Sequence, residues 1–452
     1  MTDQRLVHVQ WSSRLAFILA ASGSAIGLGN IWKFPYLAGE NGGGAFVLIY
    51  LLCVALIGIP IMMAETLLGR RGRQSPINTM LTLAEAARAS RFWHYTGWLG
   101  VVSGFLILSY YSVIAGWAMA YIFKMNSGLF AHITPDNAAR LFEEFRADSQ
   151  LQTIWHSLFI LITMLIVSRG VSAGLEKCTR YMMPALFVML VLLVGYAMHS
   201  EGFGQGAGFL FRPDFGKLNG ERVLTAMGQA FFSLGLGMGS IMVYGSYLPS
   251  HVSIAKSTFF VAVADTLVAL LAGLAIFPIV FDNHLEPGMG PGLVFQTLPI
   301  AFSNMPAGSL FGVLFFILLF FAALTSSIAM IEPAVAWLTE NRGLDRPSAC
   351  WWSGLACWAF GLGTVFSFSD GSHLTLFGKN FFEFVDFLTA DILLPTGGLL
   401  MAVFAGWILQ RKDTEEELEM GEGPGYQVWR FLVRYIAPAG VCVIFLRALH
   451  FL

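Results

Sequence analysis

Gly23-Ser24-Ala25-Ile26-Gly27-Leu28-Gly29-Asn30 interrupts the first apolar stretch of this chain, and Ser233-Leu234-Gly235-Leu236-Gly237-Met238-Gly239 interrupts the sixth. A helix broken inside a bilayer leaves backbone N–H and C=O groups that lipid cannot pair, so such breaks survive only where they line a cavity. Paired interruptions at corresponding points of two halves are the sequence pointer to a transporter binding site. The fold reading therefore starts from these two runs.

The composition agrees with a lipid solvent. Hydrophobic residues make up 56% of the 452 positions and charged residues 12%, against about 25% charged in a soluble domain. About 20 apolar residues cross the hydrocarbon, and eleven stretches reach that length. They lie near 12–37, 42–70, 92–124, 152–169, 177–199, 222–249, 255–281, 308–340, 348–369, 379–409 and 428–450. The expected fold class is an all-α integral membrane protein of eleven transmembrane helices in one domain, residues 1–452. Two inverted repeats of five spans are expected, about 12–199 and 222–409, with the extra helix at about 428–450. A secretory signal is not expected, because Trp11 and Arg14 lead into a span too long for one. With the N-terminus inside, 17 of the 26 basic residues fall on the cytoplasmic side and nine outside. The positive-inside rule thus predicts a cytoplasmic N-terminus and, with eleven spans, an external C-terminus.

The net charge of −2 gives no hint of nucleic acid, and the five cysteines show no disulfide or metal spacing. The loop 282–307 carries four prolines and an apolar centre from Leu293 to Phe302, too apolar for a solvated linker, and reads as a re-entrant or lid segment. The acidic run Glu415 to Glu422 reads as a solvated loop.

The chemistry concentrates around the breaks. Glycine clusters in membrane helices usually serve close packing, but here they have polar company in Asn30, Ser233, Glu65 and Asp265. An intramembrane acid costs at least a few kcal/mol and needs a partner or a function. Glu65 can accept from N–H groups freed at a break, and Asp265 reads as a charge partner for a cation. Ala322-Ala323-Leu324-Thr325-Ser326-Ser327 adds three hydroxyls to the eighth span. Carbonyls at a break together with hydroxyls are the oxygen ligands that a hard monovalent cation takes. Half-helix N-termini aimed at the same cavity favour a carboxylate. A phenol at Tyr110-Tyr111, at mid-depth, needs a partner that such a carboxylate would supply. Together these features fit a zwitterion travelling with a metal ion.

Trp11-Ser12-Ser13-Arg14, the stretch Gly23 to Pro35, Glu40-Asn41-Gly42-Gly43-Gly44-Ala45-Phe46 and Gly228-Gln229-Ala230-Phe231-Phe232-Ser233 resemble the neurotransmitter:sodium symporter family, and Leu324 to Ser327 fits the same pattern. The chain is similar to the short bacterial amino-acid transporters of that family. The resemblance implies the broken-helix, 5+5 inverted-repeat fold called LeuT-type, in a bacterial inner membrane. It implies one sodium site from Ala25, Asn30, Ser233, Asp265 and the substrate carboxylate. A second would use the carbonyls of Gly23, Ile26 and Ala322 with the hydroxyls of Thr325 and Ser326. The carboxylate would meet the N–H groups of Leu28 and Gly29 and the phenol of Tyr111, and the amino group would meet carbonyls at Ala25, Phe232 and Ser233. The side-chain pocket would be Ile107, Tyr111, Phe232, Gly235, Met238, Ser326 and Met330.

The same resemblance refines the cargo. Gly27 stands where monoamine carriers place an aspartate, which fits a substrate with its own carboxylate. Asp265 stands where chloride-dependent relatives have asparagine, beside positions matching Tyr50, Gln229 and Ser233, so sodium without chloride is expected. Gly235 and an adaptable Met238 imply branched and aromatic amino acids. The gating residues implied are Lys33 with Asp386 outside, the lid ring of Phe232, and Glu340 inside, with His8 or Arg5 as its basic partner. Gly174 and Pro184 match the family's unwinding point in the fifth span. Glu332 and Asp391 have no assigned role. An enzyme is not expected, since no HExxH or GxSxG signature occurs. The alternatives are a non-transporting amino-acid sensor or a channel, although a channel would want rings of charge or a carbonyl filter along a pore. Oligomeric state is not legible.

Overall fold

The structure is a computed structural model that describes residues 10–130, 133–284, 292–369, 371, 374–421 and 423–448. Among the described residues nine helices are long and apolar enough to cross a membrane, and the pair Arg14–Ala25 and Gly29–Glu40, bent by 52°, makes a tenth crossing if taken as one. The sixth expected span is present as Gly220–Ser233 and Ser240–Ser246, separated by six residues. Neither half is long enough alone, so a total of eleven holds only if the two halves count as one crossing.

The dihedral angles explain the two interruptions. In the first, Ile26 turns to an extended conformation (φ −71°, ψ 103°) and ends the helix from Arg14. In the second, Gly235, Gly237 and Gly239 all take positive φ (61°, 83° and 71°), a region closed to most side chains. A side chain on Gly237 would also run into the carbonyl of Leu394.

The core sits around the third and eighth spans. The best membrane-spanning windows of Arg91–Asn126 and Gly308–Arg342 are 78% buried, against 28% for Pro424–Leu446, which therefore lies at the periphery. Bare glycines let these helices approach at backbone distance, as membrane helices do. A methyl on Gly104 would stand 2.7 Å from the Met330 carbonyl, and one on Gly245 would stand 2.7 Å from the Thr66 carbonyl.

Leu293–Ser303 forms a short apolar helix, with Leu293, Val294, Phe295, Leu298, Ala301 and Phe302 buried. Phe295 stacks on Phe142 at 5.5 Å and packs against Trp117 and Tyr121. The loop is thus packed rather than solvated, while its stretch 285–291, with Pro287, Gly288, Gly290 and Pro291, lies outside the described residues.

The acidic run is a correction. Residues Arg411–Leu418 are helical, and Glu417 bonds the buried guanidinium of Arg70 while Asp413 pairs with Arg71. Arg70 also donates to the carbonyls of Ser250 and Val252. A buried guanidinium needs such acceptors, so this segment packs against the C-terminal end of the second span.

Candidate functional site at the two breaks

The first break is closed by side chains. The Gly27 N–H donates to Asn30 Oδ1 at 3.1 Å, and the Leu28 N–H donates to the Tyr111 phenol at 3.0 Å. Gln229 Nε2 donates to the Gly29 carbonyl at 3.0 Å. Each bond satisfies a backbone group that the interruption releases.

Around Asn30 the charged cluster assembles. Asn30 Nδ2 lies 2.7 Å from Asp265 Oδ1 and 3.0 Å from Ser233 Oγ, and Ser233 Oγ donates to Asp265 Oδ2 at 2.7 Å. Tyr50 completes the set, 3.2 Å from Ser233 Oγ and 3.4 Å from Asp265 Oδ2. Asn30, Ser233 and Asp265 are essentially inaccessible to solvent. A carboxylate this deep with only neutral partners is a strong cation attractor, since burial is tolerable for it only when charge is compensated.

A second oxygen cluster lies on the other side of the break. Ser326 Oγ is 3.2 Å from the Gly23 carbonyl and 3.1 Å from the Ile26 carbonyl. Thr325 Oγ1 donates within its own helix, to the carbonyls of Phe321 and Ala322 at 3.1 Å each, which leaves its lone pairs unused. Gly23, Ile26, Ala322, Thr325 and Ser326, the set that the resemblance implies, are neighbours here, and their carbonyls and hydroxyls are hard oxygens of the kind a monovalent cation takes.

Between the clusters is a small cavity of about 20 Å³ lined by Ala25, Gly29, Ile107, Tyr111, Phe232, Gly235, Met238, Ser326 and Met330, together with Ser24, Gly27 and Leu394. Leu28 and Ser233, also expected to contact substrate, stand behind its wall through the Tyr111 and Asp265 bonds. Leu394 was not readable, because only the approach of the tenth span to Gly237 places it there. Gly27 has no room for a side chain, as a methyl would stand 2.6 Å from Ser326 Oγ and 2.7 Å from the Tyr111 oxygen. Met238 fills the space over Gly235, where a methyl would stand 2.6 Å from its Cε.

The second break is held by one acid. Glu65 Oε1 accepts from the Gly237 N–H at 2.6 Å, while its Oε2 is buried without a hydrogen-bond partner. The role read for Glu65 from the sequence matches this geometry.

At the outer gate, the charge of Asp386 acts on Lys33. Lys33 Nζ lies over the Phe232 ring, 4.3 Å from its centroid, and among the described ion pairs none joins it to Asp386. A compact ammonium held by a ring face does not need the forked carboxylate geometry that arginine uses. Above Phe232 opens a vestibule of about 490 Å³ lined by Lys33, Lys379 and Asp391 among others. Glu340 accepts from the Ser75 N–H at 2.8 Å and from Asn78 Nδ2 at 2.8 Å, and both Arg5 and His8 lie outside the described residues. Glu332 acquires partners: Arg346 binds it with two nitrogens at 2.9 and 2.5 Å, and the Tyr247 hydroxyl donates to it at 2.8 Å. Beside them Trp11 donates to the carbonyls of Tyr244 and Tyr247.

Helices interrupted at mid-membrane around clustered oxygens define a membrane transporter of the LeuT-type fold. The chain matches the Sodium:neurotransmitter symporter family over residues 8–138 and 142–451, and it belongs to that family, which is one of sodium-coupled transporters and not of enzymes. It is 40% identical to the uncharacterized sodium-dependent transporter YhdH of Bacillus subtilis (strain 168), over the full length of both. It is 33% identical to an uncharacterized sodium-dependent transporter of Haemophilus influenzae, over 99% of each. Among solved structures it is similar to MhsT in complex with L-phenylalanine, with a TM-score of 0.91, 40% identity and coverage of 97% of this chain and 99% of that one.

Proposed function

We propose that the protein imports neutral, mainly hydrophobic L-amino acids, branched or aromatic, together with sodium by alternating access and without chloride. The observation that carries this reading is one cavity that touches both breaks, walled by Tyr111 and Ser326, each bonded to backbone of the first break. A carboxylate entering there meets the Leu28 and Gly29 N–H groups and Tyr111, and it stands beside the Asp265 cluster as an additional sodium ligand. Coupling then follows from shared ligation, because sodium at Asn30, Ser233 and Asp265 is complete only with substrate present. A second sodium fits Gly23, Ile26, Ala322, Thr325 and Ser326. Solved MhsT holds L-phenylalanine, which supports an amino acid with a large apolar side chain as cargo.

Chloride independence rests on Asp265, a fixed negative charge where an anion would otherwise balance sodium. The cavity is tight, with Met238 over Gly235 and the Phe232 ring against Gly29, so a bulky substrate side chain would enter by displacing them. Each charge crossing ~100 mV contributes roughly 2.3 kcal/mol. Two sodium ions then supply about 4.6 kcal/mol, enough for accumulation on the order of a thousandfold. The proposed setting is the inner membrane of a bacterium, in lipid, with the N-terminal end of the first span facing the cytoplasm. The test is uptake by proteoliposomes with chloride exchanged for gluconate: unchanged rates support the anion-free reading, and a collapse of uptake contradicts it.

A further inference from the structure

We propose that Leu394 of the tenth span is the fixed wall that limits the size of the transported side chain, a specificity-determining residue beside the adaptable Met238. The inference rests on reading the cavity at the two breaks as the amino-acid site. Among the described residues, those that line this cavity come from the first, third, sixth and eighth spans, with Leu394 as the one contribution of the tenth. Leu394 is buried, as are Ile107, Met238 and Met330 in the same wall.

Backbone contact fixes where Leu394 stands. A side chain on Gly237 would run into the Leu394 carbonyl and stand 3.0 Å from the Gly398 nitrogen, and a methyl on Gly397 would stand 2.6 Å from the Gly237 carbonyl oxygen. Gly398 has no room for a methyl against the Phe231 ring. The tenth span thus docks on the second break main chain to main chain. With no side chain between the two backbones to repack, Leu394 holds its place relative to the break. The local helix explains its aim. Phe387–Leu393 is π-helical, and Leu394–Val403 returns to α. Pro395 has no N–H for the turn before it, and the Leu394 N–H reaches back to the Thr389 carbonyl in the wider π pattern. A π turn holds one residue more than an α turn, which rotates every later side chain by about 100°. That rotation turns Leu394 onto the cavity. Leu394 and Met238 then differ in kind: the thioether has three rotatable bonds and repacks, while the shorter, branched Leu394 rides on docked backbone. A substrate side chain that outgrows the space Met238 can yield meets Leu394 next, so the upper size limit lies with the tenth span.

The experiment measures sodium-driven uptake of radiolabelled valine and tryptophan by proteoliposomes holding the full-length protein, read as the ratio of their kcat/KM values. Leu394→Ala should raise the tryptophan-to-valine ratio about fivefold, and Leu394→Phe should lower it about fivefold, with sodium half-saturation unmoved in both. Leu394→Val, a milder truncation that keeps the fold where alanine does not, should raise the ratio about twofold. Leu394→Met, which conserves volume, should leave it near wild type. Opposite shifts separate a size limit from a general loss of packing, which would lower uptake of both amino acids alike. A ratio that stays at the wild-type value in the truncated and enlarged variants, or moves the same way in both, would overturn the role of Leu394. Wild-type protein that takes up neither amino acid would instead overturn the functional reading beneath it.

Discussion

The two breaks solve the same problem with different chemistry. The first is short and is held by side chains: Asn30 on Gly27, Tyr111 on Leu28, Gln229 on Gly29 and Ser326 on the carbonyls of Gly23 and Ile26. The second is longer and is held by backbone dihedrals at Gly235, Gly237 and Gly239, with Glu65 as the acceptor for Gly237. A break pinned by polar side chains fixes oxygen positions to within a fraction of an ångström, which ion coordination needs. A break made by glycines with one methionine across it can change shape, which suits a variable substrate side chain. On this account the first break sets the ions and the second sets the choice of amino acid.

Asp265→Ala should have the largest effect. It removes the only acid of its cluster and leaves Asn30 and Ser233 facing each other across a buried gap, so sodium-driven uptake should fall by about a hundredfold or more, as removal of a buried charge partner does. Uptake that persists would show that the cluster does not hold an ion. Ser326→Ala comes next, with the sodium half-saturation concentration expected to rise about tenfold, in the range of one lost bond to a charge, and the ranking of amino acids unchanged. A changed ranking with unchanged sodium dependence would erase the division between the breaks. Glu65→Leu orphans the buried Gly237 N–H, a loss of about 1–3 kcal/mol, visible as a lower thermal midpoint. Glu65→Gln keeps an acceptor and should remain near wild type. The mildest is Met238→Ala, expected to shift competition toward the largest aromatic substrates by about threefold, the scale of a methylene or two in an apolar pocket, with sodium half-saturation unmoved.

Much of this was legible because it was local. Runs of glycine at mid-span, hydroxyls at adjacent positions and single acids in apolar helices are visible along the chain; they pointed to both breaks and to Asn30, Ser233, Asp265, Thr325 and Ser326, while the carbonyls of Gly23, Ile26 and Ala322 came only from the family resemblance. What the sequence could not supply were the long-range partners. Glu332 stood out as an unexplained intramembrane acid, yet its forked partner Arg346 lies 14 residues on, across a turn. Arg70 and Glu417 are 347 positions apart, so the acidic run looked solvated until folding brought a buried guanidinium to it. The ring contact of Lys33 was not legible for a related reason: Phe232 belongs to the other half of the chain. Charge complementarity named Asp386, and its charge does act on Lys33, but spacing alone does not show that an aromatic face also lies under the ammonium.

The most direct test of sodium-coupled amino-acid symport is uptake of radiolabelled leucine, tryptophan and glycine into proteoliposomes, with an imposed sodium gradient or with potassium in its place. The account predicts accumulation of leucine or tryptophan well above glycine, and only with sodium outside. Accumulation that is indifferent to the exchange of sodium for potassium, or that favours glycine alone, would contradict it.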